Sequence, residues 1–154
     1  MSKTRVGRIV LGVVALAGVA ATARLVAADA PPGQYMIAND GTVYDTKTQL
    51  TWQKYPPFQS APEFTWAGAQ AYCANPGLPG AGWRVPSVTE LETLVDESKM
   101  FFSIDNTFND SFKSEQWTST PVASSPGFAW RVSFQTGDAY VKLVQSHLGV
   151  RCVR

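Results

Sequence analysis

The chain has 154 residues, with 13 lysines and arginines against 12 aspartates and glutamates, so its formal net charge is +1. This length supports one hydrophobic core of ordinary size rather than two domains. The near-neutral balance excludes a strongly basic protein that binds nucleic acid or anionic membranes through bulk charge.

The first 28 residues have the composition of a secretory signal peptide. A basic start without acidic residues is followed by 13 apolar residues at 9–21 and then by small residues, which is the order of an export signal. The alternative, a membrane-spanning anchor, needs roughly 20 apolar residues. Small residues allow cleavage after Ala28 or after Ala30, and Pro31 directly behind the second position favours Ala28.

Removal of this segment changes the charge of what remains. It would take away the basic residues Lys3, Arg5, Arg8 and Arg24, which leaves nine basic and 12 acidic residues, a net charge of −3. We therefore expect an exported domain of about 126 residues. Its location would be the periplasm, the cell surface or the medium, with no nucleic-acid partner and no membrane insertion after signal removal.

The chain has two cysteines, Cys73 and Cys152, and both lie in the exported part. In an oxidising compartment an even count favours a disulfide. Two separate buried thiols are the alternative. A bridge would close a loop of about 80 residues and contribute roughly 4–5 kcal/mol in the chain-entropy model.

The N-terminal third predicts short strands. Residues 29–34 form a leader, and one domain is predicted over residues 35–154. The turn signal Asn-Asp-Gly at 39–41 and the polar segment 46–49 separate β-branched and aromatic stretches. These stretches predict strands at residues 35–38, 42–45 and 50–53, paired as a hairpin or meander.

Two helices are predicted from their N-terminal caps. Thr65 is a suitable N-cap for a helix over residues 66–74. Ser87 and Glu90 form a Ser-x-x-Glu capping box ahead of an apolar stripe, which predicts a helix over residues 88–97. Residues 98–115 follow without a clean period, which predicts a loop with one short turn.

The C-terminal part again predicts strands. Residues 116–120 form one strand, and residues 128–134 and 139–144 alternate on either side of a Gln-Thr-Gly-Asp turn, as in a hairpin. Residues 149–154 are predicted to be a last short strand. Strands, two helices and then further strands indicate an α+β domain.

Five sequence blocks together are more specific than any one of them. They are Asn-Asp-Gly-Thr-Val at 39–43 with Leu-Thr-Trp-Gln at 50–53, Thr-Trp-Ala at 65–67 with Ala-Tyr-Cys at 71–73, Trp-Arg-Val-Pro-Ser at 83–87, Trp-Thr-Ser-Thr-Pro at 117–121, and Val-Arg-Cys-Val-Arg at 150–154. Their order resembles the bacterial family named after the C-terminal domain of the collagen-like adhesin Lcl, over about residues 35–154.

That family is similar to the C-type lectin-like fold, in which a cysteine of the first helix bonds a cysteine of the final strand. The resemblance therefore implies two helices packed on short antiparallel strands and a Cys73–Cys152 disulfide. The family's named member is an adhesin that binds sulfated polysaccharides, and the expected net charge of −3 counts against that ligand here. Lectins of this fold hold calcium in a long loop before the C-terminal hairpin. Residues 121–127 contain no carboxylate, so we expect no lectin-type calcium site.

The other polar clusters are weak candidates for chemistry. The segment 105–111 is rich in Asp, Asn and Ser and could hold calcium, but a solvated loop with Asx turns explains it better. His147 is the only histidine and has no thiolate partner for a zinc site. Ser124 and Ser125 have no base beside them. We therefore expect no catalytic residue, no metal and no cofactor.

Ligand binding is expected on the terminal strands. Trp130 follows a turn and is the best candidate for a partly exposed tryptophan that stacks on a ligand. Arg131, Arg151 and Arg154 could form a small basic face suited to sulfate or carboxylate, although scattered surface charge is the alternative.

The pair Arg84 and Glu90 is expected to act structurally instead, as an ion pair at the head of the second helix.

Three functions follow from these observations. The first is an exported, non-catalytic binding module, of the adhesin type, that recognises a glycan or a protein surface without calcium. The second is an enzyme, because the blocks at 83–87 and 150–152 also resemble formylglycine-generating enzymes, which need a pair of reactive cysteines late in the chain. The third is a structural subunit of a surface assembly. A disulfide that engages Cys152 would count against the enzyme.

Overall fold

The structure is a computed structural model that describes residues 30–55, 62–99, 102–108 and 114–154. The predicted signal peptide at residues 1–28 lies outside these residues, as do Asn109, Asp110 and Ser111 of the loop considered for calcium. Within the described part, no helix has the length and apolar character required to cross a membrane.

The first sheet is an antiparallel meander of β1 (Tyr35–Ile37), β2 (Thr42–Asp45) and β3 (Leu50–Gln53), as the sequence predicts apart from the first strand's end at residue 37. Asp45 organises the second turn, because its carboxylate accepts hydrogen bonds from the Lys47 amide and the Thr48 hydroxyl. The free edge of β3 pairs with the chain's end, where Thr51 and Arg154 exchange backbone hydrogen bonds of 2.9 and 3.0 Å.

The two helices begin at their predicted caps. The Thr65 side chain accepts from the Gly68 amide at the start of α1 (Trp66–Ala74). A complete capping box of Ser87 and Glu90 starts α2, which spans Val88–Glu92.

The predicted end of the second helix at residue 97 is wrong. The chain turns at residues 93–94, and Val95 then forms an antiparallel bridge with Ile104. The β-branched Val95 suits such a strand-like pairing, and its partner Ile104 lies nine residues further along the chain. Leu91 and Leu94 are nevertheless both buried, because the turn at residues 93–94 keeps Leu94 on the same apolar side as Leu91 although the helix has ended.

The second sheet has the antiparallel order β4 (Glu115–Pro121), β5 (Phe128–Ser133) and β6 (Ala139–Leu143). Each strand lies within one residue of its predicted bounds. A 3₁₀ helix at Asn106–Phe108 is the short turn expected between the helices and this sheet. Residues 149–154 are not a strand of their own; they form isolated bridges, of which Gly149 with Gln116 and Val153 with Trp52 connect the two sheets.

The core has two parts, and the disulfide lies in one of them. The first part packs around Trp52 and Phe108, between the first sheet and α2. The second packs around Trp117, between α1 and β4. Cys73 on α1 and Cys152 are bonded there, both with 0% exposure. The prediction of an α+β domain with one disulfide is confirmed.

Candidate functional site

One side of the β5–β6 hairpin carries a row of exposed apolar side chains. Phe128 lies opposite Leu143, and Trp130 lies opposite Val141, so all four project from the same face of the sheet. Phe128, Val141 and Leu143 are 36%, 45% and 53% exposed, and Trp130 is partly exposed. We call these four residues the apolar face. Such a contiguous exposed row is the usual mark of an interaction surface.

The same face becomes part of the core further along the hairpin. Val132 lies opposite Ala139, two residues beyond Trp130, and is fully buried in the cluster that includes Leu91 of α2. The packed core holds one end of the hairpin in place. The apolar face is therefore presented on a rigid strand pair rather than on a loop.

The opposite face of the hairpin carries Ala129, which is buried in the core cluster around Trp117, and beside it a group of charged and polar side chains. Glu115 lies 3.2 Å from the Arg131 guanidinium and 4.0 Å from the Lys142 ammonium. The Arg131 guanidinium lies 5.0 Å from the centre of the Tyr140 ring. The Tyr140 hydroxyl donates to Asp138 at 2.9 Å, and this hydrogen bond raises the pKa of the phenol.

Trp130 and Arg131 therefore do not form one site. They are adjacent on β5, so their side chains project from opposite faces of the sheet. Trp130 belongs to the apolar face, whereas the Arg131 charge is balanced by Glu115.

The expectation that Arg151 lines a basic surface is wrong. Its side chain is 1% exposed and inserts between remote segments. The guanidinium donates to the carbonyl oxygens of Gln53 and Lys54, and to that of Phe108 at 3.2 Å. Arg154, the third member of that predicted surface, lies 5.5 Å over the Trp83 ring. Arg151 is thus part of the interior, where hydrogen bonds to three carbonyls stabilise its charge.

Arg84 and Glu90 form a bidentate ion pair, with two N–O distances of 2.7 Å. Glu90 also accepts from the Ser87 amide at 2.8 Å, which completes the capping box of α2. The hydrogen bonds from Arg84 lower the pKa of Glu90 to about 2, against the opposing effect of partial burial. Both carboxylate oxygens of Glu90 are therefore bonded to groups of the chain itself.

Asp105 is engaged in the same way. Its carboxylate accepts from the Ala30 amide at 3.1 Å and from the Thr107 amide at 2.7 Å. Burial alone would raise the pKa of Asp105, but these hydrogen bonds and the charge of Lys99 lower it. Asp105 borders a shallow cavity of about 470 Å³ with Tyr35 and Asp96. Within the described residues, no three His, Cys, Asp or Glu side chains are arranged to hold a metal ion.

His147 is exposed and lines a smaller groove with Glu63, Glu115 and Lys142. Ser124 and Ser125 lie in the link between β4 and β5, on the surface. Sequence reasoning missed Val141 and Leu143 as site residues. The alternation in Tyr-Val-Lys-Leu at 140–143 predicts that Val141 and Leu143 project from the same face of the strand. It does not predict that this face is exposed to solvent.

Comparison with known proteins identifies the family of the chain but no curated relative. The model of the Lcl C-terminal domain matches residues 41–154, which include every strand except β1, both helices and the disulfide. The chain therefore belongs to the Lcl C-terminal domain family.

Proposed function

We propose that this domain is an exported, non-catalytic binding module that recognises a glycan or a protein surface without calcium. The observation that carries the proposal is the apolar face of Phe128, Trp130, Val141 and Leu143. Aromatic and aliphatic side chains that are exposed together are typical of the centre of an interface. The Trp130 ring also offers a flat surface on which the apolar side of a sugar stacks.

The charge distribution favours an uncharged or weakly charged ligand. Arg131 and Lys142, the cations of the hairpin, both lie beside Glu115 on the opposite side of the sheet. Arg151 is buried. A sulfated polymer needs unpaired cations close together, and the apolar face supplies none.

The absence of carboxylates from the β4–β5 link supports calcium-independent binding. Residues 122–127 are Val-Ala-Ser-Ser-Pro-Gly. They offer backbone carbonyls and two hydroxyls, whereas calcium sites take about 6–8 oxygen ligands with several carboxylates among them.

The disulfide supports both the export and the non-catalytic character of the domain. Disulfides persist in oxidising compartments and are rare in the cytosol. The chain has only two cysteines, and both are bonded to each other with 0% exposure. Neither is then available for the thiol chemistry of formylglycine-generating enzymes.

We also infer a C-type lectin-like arrangement. It is supported by a helix that is bonded to the C-terminal segment through Cys73 and Cys152, and by the pairing of that segment with β3. An experimental structure tests this inference, and a terminal segment that lies elsewhere than beside β3 would contradict it.

The binding proposal is tested with a purified protein of residues 29–154 on glycan, polyanion and protein arrays. Each array is run with calcium and with EDTA, at low and high salt. We expect binding that survives EDTA and changes little with salt, because apolar contacts are not screened. Binding that requires calcium, or that is confined to polyanions and lost at high salt, would overturn the proposal. No binding on any array would favour a structural subunit.

A further inference from the structure

The outer edge of β6 is an open strand edge. Among the described residues, β6 is the last strand of its sheet and pairs with β5 alone. Tyr140, Val141 and Leu143 are each about half exposed, so no other described element covers them. Proteins commonly protect such an edge with charged side chains, above all lysine. Here the one charged residue, Lys142, lies 4.0 Å from Glu115 within its own sheet.

The hydrogen bonds at the two ends of the hairpin show which backbone groups face outward. The Val144 amide donates to the carbonyl of Gly127 at 3.0 Å, and the Ser133 amide donates to that of Asp138 at 2.8 Å. Hydrogen-bonded and non-hydrogen-bonded pairs alternate along an antiparallel ladder. Residues 138, 140, 142 and 144 therefore direct their backbone groups to β5, and residues 139, 141 and 143 direct theirs outward.

We propose that two copies of the chain pair through β6, antiparallel, about a twofold axis that passes beside Val141. The twofold axis of an antiparallel strand pair can pass beside a hydrogen-bonded or a non-hydrogen-bonded residue pair. An axis at Val141, the middle one of the three outward-facing residues, brings all three of them into the ladder. Val141 would donate to and accept from Val141 of the second copy. The Leu143 amide of each copy would donate to the Ala139 carbonyl of the other, because the Leu143 carbonyl already accepts from the Ser146 amide at 2.8 Å.

The side chains are complementary in this register. Val141 meets its own counterpart and Ala139 meets Leu143, so the contacts on the apolar side remain apolar. Tyr140 meets Lys142 on the polar side, where a cation over a tyrosine ring is favourable. On that side each copy also carries two cations, Arg131 and Lys142, and two anions, Glu115 and Asp138. The two copies therefore do not repel each other through a net charge.

The pairing leaves the apolar face open and doubles it. Paired strands lie about 4.8 Å apart and continue one sheet, so the apolar faces of the two copies would lie side by side on one surface. Two linked sites of modest affinity bind a repetitive ligand far more tightly than one. The pairing itself does not depend on the proposed ligand.

Cysteine cross-linking tests both the partner and the register. In a hydrogen-bonded pair the two Cα atoms are about 5.5 Å apart, within the range of a disulfide. We expect Val141→Cys to form a covalent dimer under mild oxidation. The matched control is Leu143→Cys, an exposed neighbour whose copies would be about 14 Å apart across the axis; we expect it to stay largely monomeric. Equal cross-linking of both variants, or none in Val141→Cys, would overturn the proposal.

Analytical ultracentrifugation of the protein without introduced cysteines provides the second measurement. The wild type should show a reversible, concentration-dependent dimer, and Val141→Pro should lose it, because proline removes the outward donor at the axis but no hydrogen bond to β5. Near-UV circular dichroism checks that the variant is folded. If it is not, Val141→Lys serves as the second variant. A wild type that remains monomeric at its highest soluble concentration would contradict the pairing even if the array experiment finds a ligand.

Discussion

The guanidinium of Arg151 lies 5.0 Å from the centre of the Phe108 ring and donates to the Phe108 carbonyl oxygen at 3.2 Å. The same guanidinium donates to the carbonyl of Gln53 at 2.6 Å. One buried cation thus joins the 3₁₀ helix, the end of β3 and the C-terminal segment. Its role is to hold these segments together rather than to bind a ligand.

Arg151→Met should therefore destabilise the domain strongly. It leaves buried carbonyls without donors, and hydrogen bonds to a charged group contribute about 1.5–3 kcal/mol each. We expect the free energy of unfolding to fall by about 3 kcal/mol in urea denaturation. Arg154→Met is the matched control, since Arg154 is exposed and its guanidinium lies over the Trp83 ring. Equal stability of the two variants would show that Arg151 is not the interior link described above.

Reduction of the Cys73–Cys152 bond should have the largest effect on stability. The cysteines are 79 residues apart in sequence, and closing a loop of this size contributes roughly 4–5 kcal/mol in the chain-entropy model. The urea midpoint should fall steeply when dithiothreitol is added. Thiol labelling of the native, oxidised protein should find no reactive cysteine. A labelled cysteine in that sample would remove the support that the disulfide gives to a non-catalytic domain.

The Arg84–Glu90 pair should contribute pH-dependent stability. In the folded protein the pKa of Glu90 is about 2, below the ordinary value of 4.5. The contribution of the pair to the free energy of unfolding is therefore present above pH 4.5 and is lost as the pH falls toward 2. Because Arg84 is 48% exposed, solvent screening limits the effect to about 1 kcal/mol.

Glu90→Gln should thus be about 1 kcal/mol less stable than the wild type at pH 7, with the difference shrinking through this pH window. Glu92→Gln is the control, because Glu92 is exposed on the same helix. Urea denaturation at several pH values measures both. A difference that stays constant from pH 7 to pH 2 would contradict the ion-pair account.

Local patterns in the sequence predict the local features of this fold. Thr65 and Ser87 mark the helix starts because a cap acts within a few residues of itself. The end of α2 could not be predicted, since Val95 pairs with Ile104 across a loop. Arg151 was misplaced for the same reason, because its partners Gln53 and Phe108 are distant in sequence. A charged residue is exposed by default, and only the assembled fold supplies the carbonyls that bury it.

The candidate site shows the same limit. Alternation along β5 and β6 predicts which side chains share a face, and Trp130 was correctly expected to be partly exposed. Which part of that face is covered depends on α2, which packs over Val132 and leaves Trp130 partly exposed. That information is tertiary, so Val141 and Leu143 could not be assigned to the site from the sequence.

The central claim is that the domain binds through the apolar face, and one pair of variants tests it most directly. Trp130→Ala truncates the aromatic residue of that face, whereas Tyr44→Ala truncates an aromatic residue of β2, 39% exposed, on the other sheet. Both are measured on the array partner that the wild type binds, with equal far-UV circular dichroism as the condition for comparison. We expect Trp130→Ala to lose about tenfold or more in affinity, as hot-spot tryptophans do, and Tyr44→Ala to bind like the wild type. Unchanged binding by Trp130→Ala, or an equal loss in Tyr44→Ala, would contradict the account.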